Sequence, residues 1–145
     1  MRRPVFIGGY FHTLDDKGRV VIPPRFRNLL GERFIITKGL HGCLWVLKED
    51  RWAVIQQRLQ SESMRKEQVI LQRFLSGGAA ECSPDSQGRV LIPPVLRDFA
   101  RIERDVVSIG AVNRVEIWGR ERWDEYNAAL DDESIEASLE RVDLL

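Results

Sequence analysis

The sequence predicts an α+β fold made of two related halves, each built from short strands and short helices. Three observations predict it. The first is a duplication: residues 15–27 read DDKGRVVIPPRFR and residues 85–97 read DSQGRVLIPPVLR, with Asp, Gly, Arg, Val, Ile, Pro, Pro and Arg recurring at a spacing of 70. Self-similarity at a fixed period marks a repeated structural unit. The second is a series of short β-branched and aromatic runs bounded by Gly and Pro, which read as strands. The third is helical spacing behind an acidic first turn: Trp52, Ile55 and Leu59 follow Glu49-Asp50.

Residues 5–14, VFIGGYFHTL, predict a strand interrupted at Gly8-Gly9, where a glycine pair implies a bulge or a close backbone approach. Asp15 to Gly18 is turn chemistry. The carboxylate bonds backbone amides two residues on, and Gly18 accepts a positive φ. Residues 19–22 form a strand that Pro23 and Pro24 end, since proline cannot donate to a ladder. Pro24 suits the first position of a helix over 24–30, which Gly31 stops. Strands over 33–38 and 43–47 follow, separated by a turn at Gly39–Gly42. A helix opens at Glu49. A second comes after Ser61–Ser63, carries Val69, Ile70, Arg73 and Phe74 toward its end, and stops at Gly77-Gly78.

The second half replays this order. Ala79–Cys82 is its opening strand, Asp85 to Gly88 its turn, 90–92 a strand and 94–100 a helix. Val106–Ile109 matches Ile35–Lys38, and Val115–Trp118 matches Leu44–Leu47. Arg51-Trp52 and Arg122-Trp123 stand 71 apart, so one residue has slipped between the halves. The acidic end, 131–145, predicts a last helix with Ile135, Leu139 and Val142 on one packing side. The division expected is 1–76 and 77–145. Units this small need their partner half to fill a core.

The chain has 22 basic and 22 acidic residues, so its net charge says nothing of nucleic acid. The distribution is more informative. The first 30 residues hold six basic side chains against two acids, and residues 120–145 hold three against nine. This predicts a polar binding face with an acidic region turned away. Cys43 and Cys82 are far apart among apolar neighbours and read as buried free thiols. Neither a secretory pattern nor an apolar run of about 18 residues is visible, so a cytoplasmic protein with no membrane partner is expected.

Catalytic chemistry finds no support. His12 and His41 lack partners at metal-ligand spacing, and no Gly-x-Ser-x-Gly elbow occurs. Asp15 and Asp16, beside Lys17 and Arg19, read as turn and ion-pair residues, and only Asp15 has a counterpart in the second half. No catalytic residue, metal or cofactor is expected. Trp45, Trp52, Trp118 and Trp123 are base-stacking platforms or core, and their apolar neighbours favour core. Arg19 and Arg89, each between a stiff turn and a strand, suit groove contacts, because the planar guanidinium matches guanine O6 and N7. Lys17, Arg25 and Arg27 suit phosphates. The alternative is that Arg19 and Arg89 simply pair with Asp15 and Asp85. Both can hold, since an arginine oriented by a carboxylate keeps donors for a ligand.

Asp15-x-Lys17-Gly18-Arg19 with Val-Ile-Pro, repeated as Asp85-x-x-Gly88-Arg89 with Leu-Ile-Pro, resembles the MraZ family, within the SpoVT/AbrB superfamily of bacterial DNA-binding proteins. Gly8-Gly9, Arg73-Phe74-Leu75, Glu81-Cys82 and Asn113 to Trp118 extend the resemblance over nearly the whole chain. It implies two pseudo-symmetric β-rich half-barrel units with short helices, assembling into ring homo-oligomers, octamers or dodecamers. It also implies a nucleoid-associated transcriptional regulator of the division and cell wall gene cluster. Such regulators bind double-stranded DNA at short G-rich direct repeats ahead of their own operon. Carried over by motif, Arg19 and Arg89 contact DNA with Lys17 beside the first, while Asp15, Gly18, Asp85 and Gly88 shape the turns. Gln87 stands where the first copy has Lys17, which weakens the second phosphate grip but still suits an adenine edge or a phosphate. Two other readings are an antitoxin of the AbrB/MazE kind, binding a toxin through the acidic end, and a ring scaffold that binds protein.

Overall fold

The computed structural model describes residues 5–60 and 65–145; residues 1–4, with Arg2 and Arg3, and the Ser61–Ser63 segment before the expected second helix lie outside the described residues. The first copy runs β1 (Gly9–Thr13), β2 (Arg19–Val21), α1 (Pro24–Leu30), β3 (Phe34–Lys38), β4 (Leu44–Lys48), α2 (Glu49–Leu59) and α3 (Lys66–Leu71). The second runs β5 (Ala80–Cys82), β6 (Arg89–Leu91), α4 (Pro94–Ala100), β7 (Asp105–Gly110), β8 (Val115–Gly119), α5 (Arg120–Ala128) and α6 (Asp132–Arg141). The α+β class and the repeat hold. Both short helices begin at the second proline of their Pro-Pro pair, where the missing N–H removes nothing from the helix.

The copies interleave instead of standing side by side. One antiparallel sheet runs in the order β1-β7-β8-β4-β3-β5, and β2 pairs with β6 in a separate ribbon. Each copy's first strand therefore lies in the other copy's half of the sheet: β1 on β7, and β5 on β3. At the centre β4 meets β8, with Leu44 opposite Ile117 and Val46 opposite Val115. Among the described residues the strands form an open sheet and a ribbon, and no closed barrel.

The register corrects the expected match between β3 and β7. Phe34 pairs with Lys48, and Val106 pairs with Gly119, the residue 71 beyond Lys48. Val106 is thus the counterpart of Phe34, not of Ile35. Burial gives the reason. Phe34 and Val106 face the inner core, while Ile35 and Val107 face the outer helices. A shift of one residue would turn every side chain of the strand onto the wrong face.

The inner core gathers around Phe26 of α1, fully buried between Phe6 and Tyr10, whose rings stand edge-on at 6.1 and 5.2 Å. On the outer face, Trp52 and Leu59 of α2 and Leu75 of a π-helical turn over Gln72–Ser76 cluster with Ile35 and Leu47. That turn seats Leu75, whose carbonyl accepts from the buried Thr37 hydroxyl at 2.7 Å. It also sets Phe74 edge-on to Phe99 at 5.8 Å. Trp52 and Trp118 are buried, while Trp45 and Trp123 are half-buried against the same clusters, in line with core roles. Cys43 and Cys82 are free and buried; burial pushes their thiols up to about 12 and about 11, which keeps both protonated.

The last helix departs from expectation. Asp131 caps α6 by accepting from the Ser134 amide at 2.8 Å, yet Ile135 and Val142 remain 46% and 65% exposed. The outer face over Trp118 is already occupied by Trp123 and Tyr126, with rings at 5.3 and 5.2 Å. Leu139 is half-buried, so the expected packing side of α6 is only partly covered among the described residues. None of the described helices is long and apolar enough to cross a membrane.

Phe26→Ala removes the ring at the junction of α1, β1 and the inner core. Urea unfolding of the variant is expected to show a loss of about 3–5 kcal/mol, the usual range for a buried phenylalanine truncated in a close-packed core.

Candidate nucleic-acid interface

The ribbon of β2 and β6 carries both arginines singled out in the sequence. Its register pairs Arg19 with Leu91, Val20 with Val90, and Val21 with Arg89. Strand side chains alternate faces. Val20 and Val90 point inward and are buried, so Arg19, Val21, Arg89 and Leu91 share the outward face. A pseudo-two-fold axis passes between Val20 and Val90. The ladder runs on into the turns: the Ile22 amide donates to the Gly88 carbonyl at 2.9 Å, and the Ile92 amide donates to that of Gly18 at 3.0 Å.

Each turn is organised by its first aspartate. Asp15 Oδ1 accepts from the amides of Lys17 and Arg19 at 2.9 and 2.8 Å, and Oδ2 accepts from Arg19 Nε at 2.7 Å. Asp85 repeats this with Gln87 and Arg89 at 2.9, 2.9 and 2.8 Å. These bonds, the arginine's backbone amide foremost, hold both carboxyls below the usual aspartate range. The ion pairs considered in the sequence are therefore present, and they use Nε. Among the described residues no protein hydrogen bond reaches the η nitrogens of Arg19 or Arg89. The two turns also meet, with Arg89 Nη1 at 4.0 Å from Asp15 Oδ2. Lys17 and Gln87 in the turns, and Arg25 of α1, are exposed.

Sequence reasoning missed a second pair of arginines. Arg97 of α4 lies across the turn of the first copy, and Arg27 of α1 lies across that of the second. A Cβ on Gly18, at φ +79, would stand 2.8 Å from the Arg97 guanidinium carbon; one on Gly88, at φ +76, would stand 2.6 Å from that of Arg27. Glycine is needed here for its backbone angle and for this close approach. Arg27, expected at phosphates, packs its Nε out of solvent against the opposite turn, as Arg97 does. Both arginines recur in the duplicated stretch. That was the available signal, but a period of 70 says that two positions are alike, not that each touches the other copy.

His12 Nε2 lies 2.8 Å from Ser108 Oγ, and burial lowers its pKa, which favours the neutral imidazole. Among the described residues no three His, Cys, Asp or Glu side chains converge as metal ligands.

Fold and site together define a tandem-repeat protein whose two copies share one arginine-bearing ribbon. The family described as "MraZ protein, putative antitoxin-like" matches residues 5–74 and again 75–145. A protein of Caldanaerobacter subterraneus subsp. tengcongensis named Transcriptional regulator MraZ is 46% identical over 140 residues, 96% of this chain and 97% of its own length. One of the same name from Moorella thermoacetica is 47% identical over 139 residues, 95% of this chain and 96% of its own. The chain belongs to the MraZ family. It is a transcription regulator, and not an enzyme.

The Asp15 clamp carries a pH signature. Folding lowers the Asp15 pKa, so its contribution is present above the unfolded value of 3.8 and is lost as pH falls through the depressed native value. Asp15→Asn is expected to lower the melting temperature at neutral pH. The gap from the wild type should close in acid, which thermal melts across a pH series would read.

Proposed function

We propose that this regulator binds double-stranded DNA in a sequence-specific manner, with Arg19 and Arg89 on guanine edges and Lys17 and Gln87 at the flanking backbone. The observation that carries this reading is the β2–β6 register, which puts both arginines on one outward ribbon face. A two-stranded ribbon fits the major groove, and arginine's fork matches guanine O6 and N7 there. Asp15 and Asp85 hold each guanidinium by Nε, and Gly18 and Gly88 give the turns their shape. The resemblance extends the reading to short G-rich direct repeats upstream of the protein's own operon, in the division and cell wall gene cluster. It makes the protein cytoplasmic and nucleoid-associated, with units dividing near 76 and 77.

Affinity is expected to come from number. With a net charge of zero, a single chain gains little from long-range attraction. A ring of copies raises the effective concentration of each ribbon once the first is bound. The exposed apolar side of α6 supports contacts with another chain. That same acidic helix, together with the family description as putative antitoxin-like, also favours a second reading in which a toxin docks there. A toxin co-purifying through residues 131–145 would support it.

Anisotropy titrations on DNA from just upstream of the gene test the principal reading. Arg19→Ala should weaken binding by about ten- to a hundred-fold and relax the guanine preference, as expected for loss of one bidentate base contact. Lys17→Ala should weaken all sequences alike and reduce the salt slope by about one. Unchanged binding by a folded, normally assembled Arg19→Ala protein would reject the assignment.

A further inference from the structure

The outward face of the ribbon carries two apolar side chains beside its two arginines. Val21 and Leu91 are 43% and 53% exposed. They are pseudo-equivalent, and each stands directly across the ladder from the other copy's arginine, Val21 from Arg89 and Leu91 from Arg19. A half-buried antiparallel pair normally alternates apolar inside with polar outside. Val20 and Val90 already supply the inner side here. Val21 and Leu91 thus gain little burial in the folded chain, yet both copies hold a branched aliphatic residue at this position.

We propose that Val21 and Leu91 are specificity-determining residues that read thymine C5-methyl groups next to the bases bonded by Arg89 and Arg19. The proposal rests on the DNA-binding reading above and deepens it. Directly opposed side chains have Cβ atoms about 4.5–5.5 Å apart, and diagonal ones about 7–8 Å. With base pairs rising about 3.4 Å, the diagonal pair Arg19 and Arg89 spans about two steps, and each aliphatic residue lies about one to two steps from its neighbouring arginine's base. Val and Leu have no donor or acceptor for a base edge or a phosphate. The apolar feature of the major groove is the thymine methyl, which side chains of this kind contact. The ribbon then reads a mixed pattern, hydrogen-bond acceptors through its arginines and a methyl through the residue facing each of them.

The test starts from duplexes that the full-length chain selects from a random pool, with its contacted guanines located by methylation interference. Thymines flanking those guanines are replaced by deoxyuridine, which removes the methyl and leaves every hydrogen-bonding group in place. Wild-type Kd should rise about four-fold for each contacted methyl removed, the value expected for one methyl-sized apolar group. The Val21→Ala/Leu91→Ala double variant should bind thymine and deoxyuridine duplexes equally. The proposal is overturned if the wild type binds both duplexes equally, if no thymine flanks the guanines, or if the double variant still discriminates. The deoxyuridine arm uses unaltered protein, so it does not depend on how a variant folds. Failure of the parent reading looks different: no duplex is enriched, or Arg19→Ala and Arg89→Ala leave affinity unchanged. Either result removes both.

Discussion

The pairing of β2 with β6 across the pseudo-two-fold axis is the constraint on which the site depends. Each strand is three residues long, and an isolated two-stranded ribbon is marginal in water. Three features hold this one. Val20 and Val90 drop from its inner face into the core, each contributing on the order of 1.5–3 kcal/mol by burial. The ladder extends at both ends through the Ile22 and Ile92 amides onto the opposite turn. Arg27 and Arg97 then close over those turns from the helices that follow. Because the ladder, its extensions and the arginine contacts all cross between copies, the separation of Arg19 and Arg89 is set by the paired copies rather than by two independent loops.

The aspartate clamp works with that rigidity. Arg19 and Arg89 keep 28% and 27% of their side-chain surface, so their ion pairs are screened and weak as sources of stability. Their value is positional. The bond to Nε favours one orientation of the guanidinium, which reduces the side-chain entropy to be lost when the η edge meets a ligand. The buried thiols and the neutral His12 take no part in this electrostatic arrangement.

What the sequence made legible was local chemistry. Asp-x-x-Gly turns, Pro-Pro helix starts and β-branched strands are specified within a few residues, and Asp15, Gly18, Arg19 and their counterparts appear where that chemistry predicts them. What stayed hidden was set at long range. The exchange of β1 and β5 between copies leaves no mark in the composition of either strand. The register of β7 depends on a longer connection after α4, where Arg101 takes a left-handed conformation. The contacts of Arg27 and Arg97 stayed hidden because the glycine each one covers, Gly88 and Gly18 respectively, lies roughly 60–80 residues away in sequence. The exposure of Ile135 and Val142 on α6 is likewise a matter of where the helix lies, which its own helical spacing does not specify.

Departures from two-fold symmetry matter as much as the symmetry itself. A ribbon with identical halves would present the same groups to both DNA strands and favour palindromic sites. Here Lys17 faces Gln87 across the axis, Arg25 corresponds to Val95, and Val21 corresponds to Leu91. All of these side chains are exposed, and the first copy holds the cations. On the proposed reading, one end of the ribbon grips phosphate more strongly than the other, so a bound chain has a preferred direction along the duplex. In the proposed ring, copies related by rotation about its axis would keep that direction from one to the next. Repeats in the same orientation, rather than inverted ones, are the arrangement that such a set of ribbons can occupy together.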